Sequence, residues 1–385
     1  MIQSGGEVLV RSGLDQAANR DFHRSFVVDP IGTKVVFGRG RFNSHLVSEL
    51  DELGFSRILL VGSSSSRPLL EAAKQQLSTR VAAVFDGSRQ HVPGEVTELV
   101  VPLASEYDCD GIVAIGGGSA IGAAKIVALK TGLSLIAVPT TYSGSEMTPV
   151  WGMTEGDRKV TGRDPKVAPK AVIYDPDLLQ TLSKETAAAS SLNALAHCVE
   201  ALWAQGASPL SDSAATRGIS EIMGGLERIA GGDEMASEQL LVGSYLAGLT
   251  LAMAGSGLHH KICHVLGGMY DLPHAKTHAV LLPYVLAYNF DSLGPVRSMI
   301  EVSFATDDPV GRLVDLYLAL GGKWTLEAIG MPNDGVRRVA AEVQSSDLSK
   351  NPRSLQDGDV ERIIEAARVG ADPRSLKLAH TRMRG

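Results

Sequence analysis

The sequence predicts an α/β protein whose N-terminal half forms a parallel sheet and whose C-terminal half is all helical. In the first half, short runs rich in valine, isoleucine and leucine alternate with stretches of helical periodicity. Strands joined by helix-length crossovers are typical of a parallel sheet covered on both faces. After Leu182 the strand pattern stops and only helical periodicity continues. A Rossmann-like sheet domain followed by a helical domain is therefore expected.

The individual elements follow from hydrophobic periodicity and from the turn residues between them. The predicted strands are residues 34–38, 57–62, 81–85, 111–116, 134–139 and 171–175. The predicted helices are residues 66–77, 93–107, 120–131, 184–204, 211–229, 238–254 and 258–269, with several more towards the end.

The chain of 385 residues is long enough for two domains with full cores. We expect residues 1–25 to be a flexible N-terminal extension, because polar termini without periodicity are seldom packed. Residues 26–183 would form the α/β domain, and residues 184–385 would form the helical domain.

Composition restricts the partners. The formal net charge of −7 argues against nucleic acid or an anionic membrane, since either would require a basic surface. A small anionic substrate remains possible, because a local pocket can be basic within an acidic protein. Three cysteines without CxxC spacing suggest neither a disulfide framework nor a cysteine zinc site, which favours a cytoplasmic location. No signal peptide or membrane span is expected.

A glycine-rich loop follows the predicted strand 111–116. Gly116, Gly117, Gly118 and Ser119 lead into a helix whose free N–H groups and positive dipole end suit a phosphate. This is not the GxGxxG pattern, so a simple tight turn is the alternative.

A second strand-to-loop transition is dense in hydroxyl groups. Thr140, Thr141 and Ser143 follow the strand 134–139 and suit a pyrophosphate or ribose. Lys159 and Arg163 supply cations later in the same domain, although a solvated surface loop would explain them equally well.

Histidines are concentrated in one segment, where five of the ten in the chain lie between residues 259 and 278. His260 and His264 are four apart and share one helical face, whereas His259 points elsewhere. His274 follows just past this helix. Upstream, Asn193 and His197 are one turn apart on a second helix, so both helices are expected to line one cavity. Separate hydrogen-bonded core histidines are the alternative.

The segments GGGSAIGAAK, AVPTTYSGSEMTP, the Asn193/His197 pair and GLHHKICHVLGGMYDLPHAKTHAVLLP resemble the iron-containing (group III) alcohol dehydrogenase superfamily over about residues 30 to 380. HVPGEV, KVTGRDP and GLHHKICHVLGG are most similar to the maleylacetate reductases within it. The resemblance implies a dehydroquinate synthase-like architecture and reduction of the C=C bond of maleylacetate to 3-oxoadipate with NAD(P)H, in the breakdown of aromatic compounds.

The resemblance also implies site residues. Metal-dependent members hold Fe²⁺ or Zn²⁺ with an aspartate and three histidines, which correspond here to Asn193, His197, His260 and His274, with His264 as a neighbouring catalytic histidine. Because an amide oxygen replaces the only anionic ligand, we expect no metal. If a metal were present, His197, His260 and His274 would hold it.

The remaining expectations concern cofactor and substrate. Residues 62–66 are Gly-Ser-Ser-Ser-Ser, without the acidic residue of NAD-preferring relatives, so NADH is expected and NADPH tolerated. Gly122 stands where the superfamily pattern has an aspartate. Arg163 and Lys261 would help to attract a dicarboxylate substrate. A homodimer is expected.

Two other functions remain open from the sequence. One is a metal-dependent alcohol dehydrogenase acting on a small alcohol or diol. The other is a nucleotide-binding sensor without catalysis, which would leave the convergent histidines unexplained.

Overall fold

The computed structural model describes residues 32–155, 158–233, 236–321 and 324–377, without the side chains of residues 155–159. The predicted N-terminal extension, residues 1–25, and the side chain of Lys159 lie outside the described part.

A six-stranded parallel sheet forms the N-terminal half, as predicted. Its strands run in the order β1-β8-β5-β4-β2-β3, and every neighbouring pair is parallel. The strands are β1 (Lys34–Phe37), β2 (Ile58–Val61), β3 (Val81–Phe85), β4 (Gly111–Gly116), β5 (Ser134–Pro139) and β8 (Ala171–Tyr174). β4 and β5 are central, and their carboxyl ends lie side by side because Gly116 pairs with Pro139.

Helices cover both faces of this sheet. They are α1 (Phe42–Leu53), α2 (Arg67–Leu77), α3 (Gly94–Glu106) and α4 (Gly118–Thr131). Alternate strand residues enter two different cores, so that Ile112 belongs to one apolar cluster and Val113 to the other. The cluster containing Ile112 continues without a break into the helical half. The sheet and the helices that follow it therefore share a core.

Nine helices make up the described second half, which contains no strand in residues 184–233, 236–321 and 324–377. They are α5 (Lys184–Ala201), α6 (Pro209–Ala230), α7 (Ser237–Ala254), α8 (Leu258–Tyr270), α9 (His274–Asn289), α10 (Val296–Ser303), α11 (Pro309–Leu320), α12 (Val336–Gln344) and α13 (Asp359–Val369). Ser183 caps α5 by accepting the Thr186 amide hydrogen. No single described helix could span a membrane; α7 and α8 pass the length and composition test only as a pair bent by 100°.

Two elements were not predicted. One is α1, in which Phe42, Leu46 and Leu50 recur every four residues and pack into the core. The other is an antiparallel hairpin of β6 (Val150–Glu155) and β7 (Arg158–Arg163), where a surface loop was an alternative. Only one face of the hairpin packs on the protein, so its strands contain no continuous apolar run. For this reason the sequence pattern did not predict them.

A buried lysine holds the segment that connects β5 to this hairpin. Lys125 on α4 is fully buried, and its Nζ donates to the carbonyl oxygens of Ser145, Thr148 and Val150 at 2.6 to 2.9 Å and to Thr148 Oγ1. Burial lowers the Lys125 pKa to about 7, against the opposing effect of the Glu146 carboxylate. The ammonium group thus supplies the hydrogen bonds that the chain after β5 lacks from regular structure.

Replacing Lys125 with methionine should lower the free energy of unfolding by about 3 kcal/mol, because buried carbonyl groups would lose their donor. The measurement is chemical denaturation of both proteins. Lys130→Met, at an exposed position on the same helix, is the matched control and should change stability little. Equal stability of the two variants would contradict this role for Lys125.

Candidate active site

The glycine loop and the hydroxyl-rich loop meet at the carboxyl edge of the sheet. Gly117 lies at the start of α4, and a Cβ atom there would be 2.9 Å from Thr141 Cγ2. Gly116 has a φ of +152°, and a Cβ there would clash with Ala120 at 2.8 Å. A side chain fits at neither position, because Thr141 and Ala120 already occupy the space, so glycine allows the two loops to pack closely. Thr140 adds a backbone bond from its N–H to Gly116 O at 3.1 Å.

Helices of the second half hold the hydroxyl-rich loop from the other side. A Cβ at Gly248 of α7 would be only 2.1 Å from Gly144 O, so this helix packs directly on the loop. Asn193 of α5 is buried, and its Nδ2 donates to Ser143 O at 3.4 Å. The Asn193 Oδ1 atom is buried and has no partner among the described residues. Asn193 therefore joins the loop to the helical half while leaving one polar atom for a ligand.

A buried carboxylate, Glu200 of α5, caps the beginning of α8. Glu200 accepts the backbone N–H of His259 at 2.7 Å and that of His260 at 3.4 Å. The first N–H groups of a helix have no partner within the helix, and its positive end stabilises an anion. Glu200 satisfies them from another helix, because the residue before α8, Gly257, has no side chain to do so.

The same carboxylate orients the imidazole of His260. His260 Nδ1 donates to Glu200 Oε2 at 2.5 Å, so its Nε2 carries the lone pair. That Nε2 atom is buried and has no partner among the described residues. Burial alone would raise the Glu200 pKa, but the electrostatic interaction and hydrogen bond with His260 bring it to about 2. An ionised carboxylate behind an imidazole is the arrangement that strengthens histidine as a base or a metal ligand.

Six histidine rings form one cluster with His278 of α9 at its centre. The His278 ring centroid lies 4.4 Å from that of His274, 4.8 Å from that of His260 and 5.0 Å from that of His259. The rings of His197 and His264 lie within 6.4 Å of His278. The rings of His197 on α5 and His260 on α8 stack at 5.0 Å between centroids, so the two helices that carry them are adjacent.

Three buried members of this cluster, His197, His259 and His278, are uncharged near neutral pH. Burial lowers the pKa of His259 to about 3. Burial, together with the charges of neighbouring histidines, holds the pKa values of His197 and His278 well below the usual range. These rings are therefore available as neutral ligands or hydrogen-bonding groups, and are not a permanent positive patch.

Three of the side chains place their donor atoms close enough to hold one metal ion. His259 Nε2 lies 3.1 Å from His278 Nδ1 and 3.7 Å from Cys263 Sγ, and all three residues are buried. Zinc bonds of about 2.0 to 2.3 Å in a tetrahedron separate neighbouring ligands by about 3.3 to 3.7 Å. Imidazole and thiolate also suit iron. The donor set therefore fits a transition metal.

Several predicted residues differ from expectation in place or surroundings. His259 lies off the face of His260 but contacts His278, and His274 lies just past α8 and is also the first residue of α9. Arg163 Nη1 donates to Ala252 O at 2.8 Å, on α7. Lys261 is half-buried on α8. The side chain of Lys159 is not described.

Sequence reasoning missed Glu200, and it noted His278 without placing it in the site. A signal was present for Glu200, because Asn193, His197 and Glu200 recur at spacings of four and three, which put them on one face of α5. All three are buried polar residues. The central place of His278 depends on the turn between α8 and α9, which periodicity does not predict.

Both halves of the chain match family models. Residues 32–176 match the iron-containing alcohol dehydrogenase model, and residues 187–368 match the C-terminal model of the Fe-containing alcohol dehydrogenase family. Together the two matches cover most of the chain.

The expectation that no metal is bound is wrong. The family is defined by iron, and His259, Cys263 and His278 bring together three ligand atoms that could hold an ion. The expectation rested on the missing carboxylate at Asn193 and took no account of Cys263, which offers a sulfur ligand through a contact that the sequence does not reveal.

The chain is also similar to individual proteins over nearly its whole length. It is 38% identical to maleylacetate reductase 1 of Cupriavidus pinatubonensis over 91% of this chain and 99% of that protein. An iron-containing alcohol dehydrogenase from Corynebacterium glutamicum superposes with a TM-score of 0.87 at 38% identity, covering 92% of this chain and 99% of that one. Maleylacetate reductase from Agrobacterium tumefaciens gives 0.85 at 34% identity, covering 91% and 100%. The chain therefore belongs to the iron-containing alcohol dehydrogenase family.

Proposed function

We propose that this protein is a maleylacetate reductase, which uses NAD(P)H to reduce the C=C bond of maleylacetate and yields 3-oxoadipate. The observation that carries the proposal is the hydrogen bond from Asn193 Nδ2 to Ser143 O, which joins the hydroxyl-rich loop to the helix that also carries His197. Identities of 35 to 38% to curated maleylacetate reductases support the substrate.

The cofactor would lie along the carboxyl edge of the sheet, between the two loops. The glycine loop at Gly116, Gly117 and Gly118 leads into the N-terminus of α4, with Ser119 in its first turn, and this helix end suits the pyrophosphate. Thr140, Thr141 and Ser143 are half-buried beside them. Serines at residues 63–66, where an acidic residue would repel a 2′-phosphate, are compatible with NADH and NADPH.

The reaction adds a hydride and a proton across a C=C bond conjugated to a ketone. Hydride from nicotinamide C4 attacks the alkene carbon β to the ketone, and the electron pair of the double bond moves to the ketone oxygen as an enolate. A proton then adds at the carbon α to the ketone. Hydrogen-bond donors directed at the developing oxygen charge lower the barrier most.

The polar groups around the cavity divide between these tasks. We assign stabilisation of the enolate oxygen to His197 and to the second amide hydrogen of Asn193, both on the buried side. His260 presents a lone pair at Nε2 and cannot donate there, so we assign it to orienting the His197 ring that stacks on it. We assign proton delivery to His264, because it is half-buried and a proton donor must regain its proton from solvent. His274 is also half-buried and stacks on His264 at 6.3 Å between centroids, where it would orient that ring.

A metal in this cavity would be held by His259, Cys263 and His278, whose donor atoms lie closest together. When bound, such an ion supplies Lewis-acid polarisation of an oxygen. His278 also contacts the rings of His260 and His274, so fixing its ring fixes the neighbours that face the substrate.

A dicarboxylate substrate requires cations near the cavity. Lys261 follows His260 on α8 and is half-buried, so we assign it to a substrate carboxylate. Arg163 already donates to Ala252 O and would contribute mainly long-range attraction. We further propose a homodimer located in the cytoplasm, where the absence of a disulfide among the three described cysteines is usual.

A metal-dependent alcohol dehydrogenase is the second candidate, favoured by the possible metal group and by the similarity to the Corynebacterium glutamicum protein. The deciding experiment measures NADH oxidation with maleylacetate and NAD⁺ reduction with small alcohols and diols, in parallel. Rapid NADH oxidation with 3-oxoadipate as product supports the proposal. Turnover of alcohols alone would establish the alternative.

Glu200→Gln should lower kcat about 10-fold to 100-fold and leave the Kd for NADH nearly unchanged, because the charge behind His260 would be lost while its shape remains. Steady-state kinetics and cofactor titration measure both. Glu49→Gln, at a buried position on α1, is the matched control and should retain wild-type kcat. An unchanged kcat in Glu200→Gln would contradict the role of the carboxylate.

Gly117→Val should abolish NADH binding in a protein that still folds. A β-branched side chain would meet Thr141 and fill the space needed by the pyrophosphate. Fluorescence titration with NADH and circular dichroism test the two parts. Gly32→Val, where a Cβ meets nothing within 4 Å, is the control. Normal NADH binding by folded Gly117→Val would show that this loop is only a turn.

Cys263→Ser should weaken binding of Zn²⁺ or Fe²⁺ at least about 10-fold, because a hydroxyl is a much poorer ligand than a thiolate. Calorimetric titration of protein stripped of metal measures the affinity. Cys109→Ser, distant from the cluster, is the control. Equal affinity of both variants would indicate that the metal is bound instead by the other histidines, His197, His260 and His274.

A further inference from the structure

A loop of the sheet half crosses to the turn that presents His274. It connects β3 to α3, and His91 lies near its end. His91 Nε2 donates to Leu272 O at 3.2 Å, in the short turn between α8 and α9. The His91 ring also lies edge-on to the His274 ring, with centroids 6.2 Å apart. His91 is thus the residue through which this loop reaches the histidine cluster.

The backbone of this loop is strained at two successive positions. His91 has a φ of +62° and Val92 a φ of +45°, although neither is glycine. Positive φ is unusual for any residue with a side chain and is a genuine outlier for a β-branched one such as valine. Strain of this size persists only where the surroundings impose it, and such residues gather at functional sites.

Contacts on both sides impose the conformation. Thr154 of the β6–β7 hairpin donates from Oγ1 to His91 O and from its backbone N–H to Val92 O, both at 3.1 Å. A Cβ at Gly267 of α8 would be 3.1 Å from His91 Cε1, so the ring rests on the helix backbone. Val92 is buried against α4, where a Cβ at Gly122 would be 3.0 Å from its Cγ2.

This packing accounts for the departure at Gly122. The superfamily pattern that this chain resembles has an aspartate at this position. Val92 occupies the space next to Gly122, so a longer side chain there would displace the strained loop. Gly122 and Val92 therefore pack against each other, and this packing helps to place His91, the residue before Val92.

We propose that His91 is a positioning residue for His274. Its bond to Leu272 O fixes the turn two residues before His274, so the His274 ring is held relative to the cofactor loops of the sheet half. The effect that we expect on the reaction rate rests on the proposed function. A misplacement of about 1 Å of a catalytic group can cost up to about 100-fold in rate.

The test compares His91→Asn with His91→Gln. Both amides can donate, and asparagine tolerates positive φ better, but only glutamine places its nitrogen at the reach of Nε2. We expect His91→Asn to lower kcat for maleylacetate about 10-fold or more with an unchanged KM for NADH, and His91→Gln to recover most of the loss. His45→Asn and His45→Gln, on α1, are the matched pair and should both behave as wild type.

A second variant moves the His91 ring without removing it. Gly267→Ala places a methyl group against Cε1 and should lower kcat in wild type but have no further effect in His91→Asn. Additive losses, or equal kcat for His91→Asn and His91→Gln, would overturn the proposal.

Hydrogen exchange at the turn separates this inference from the proposed function. Faster exchange at the amides of Asp271, Leu272 and His274 in His91→Asn, but not in His91→Gln, supports the contact even if wild-type protein does not reduce maleylacetate. Equal exchange in the two variants would overturn the positioning role, whatever the substrate.

Discussion

The site depends on one buried carboxylate, that of Glu200. A charge without solvent is costly unless several donors surround it, and Glu200 finds them at the N-terminus of α8 and on the His260 ring. The same contacts fix where α8 begins, which way His260 turns and which of its nitrogens carries the lone pair. The start of α8, the tautomer of His260 and the direction in which its Nε2 atom points are thus determined together.

The second requirement is a fixed position of the helical half relative to the sheet. The shared apolar core gives the coarse placement, and polar contacts give the fine one. Asn193 bonds to the hydroxyl-rich loop, and Lys125 anchors the chain that follows it. His91 reaches across in the opposite direction, to the turn before His274. The contacts of Asn193 and His91 thus each join a loop at the carboxyl edge of the sheet to the helical half near the histidines.

Much of this could be predicted from sequence, because it depends on local periodicity. All six strands of the parallel sheet and the helical second half follow from apolar patterns, and the pairing of Asn193 with His197 follows from helical spacing. The family resemblance was confirmed by both family models. Contacts between distant segments could not be predicted in this way. The grouping of Cys263 with His259 and His278 depends on the sharp turn into α9, and the expectation of a metal-free site failed there.

The most direct measurement follows the hydride itself. Reduction of maleylacetate with NADH carrying deuterium at C4 should place one deuterium on the 3-oxoadipate carbon β to the ketone, where it does not exchange with water. This is the outcome that hydride attack on the C=C bond predicts, and product analysis by nuclear magnetic resonance identifies the labelled carbon. Deuterium on the carbon that bears the oxygen, in a hydroxy acid product, would show reduction of the ketone instead and would contradict the account.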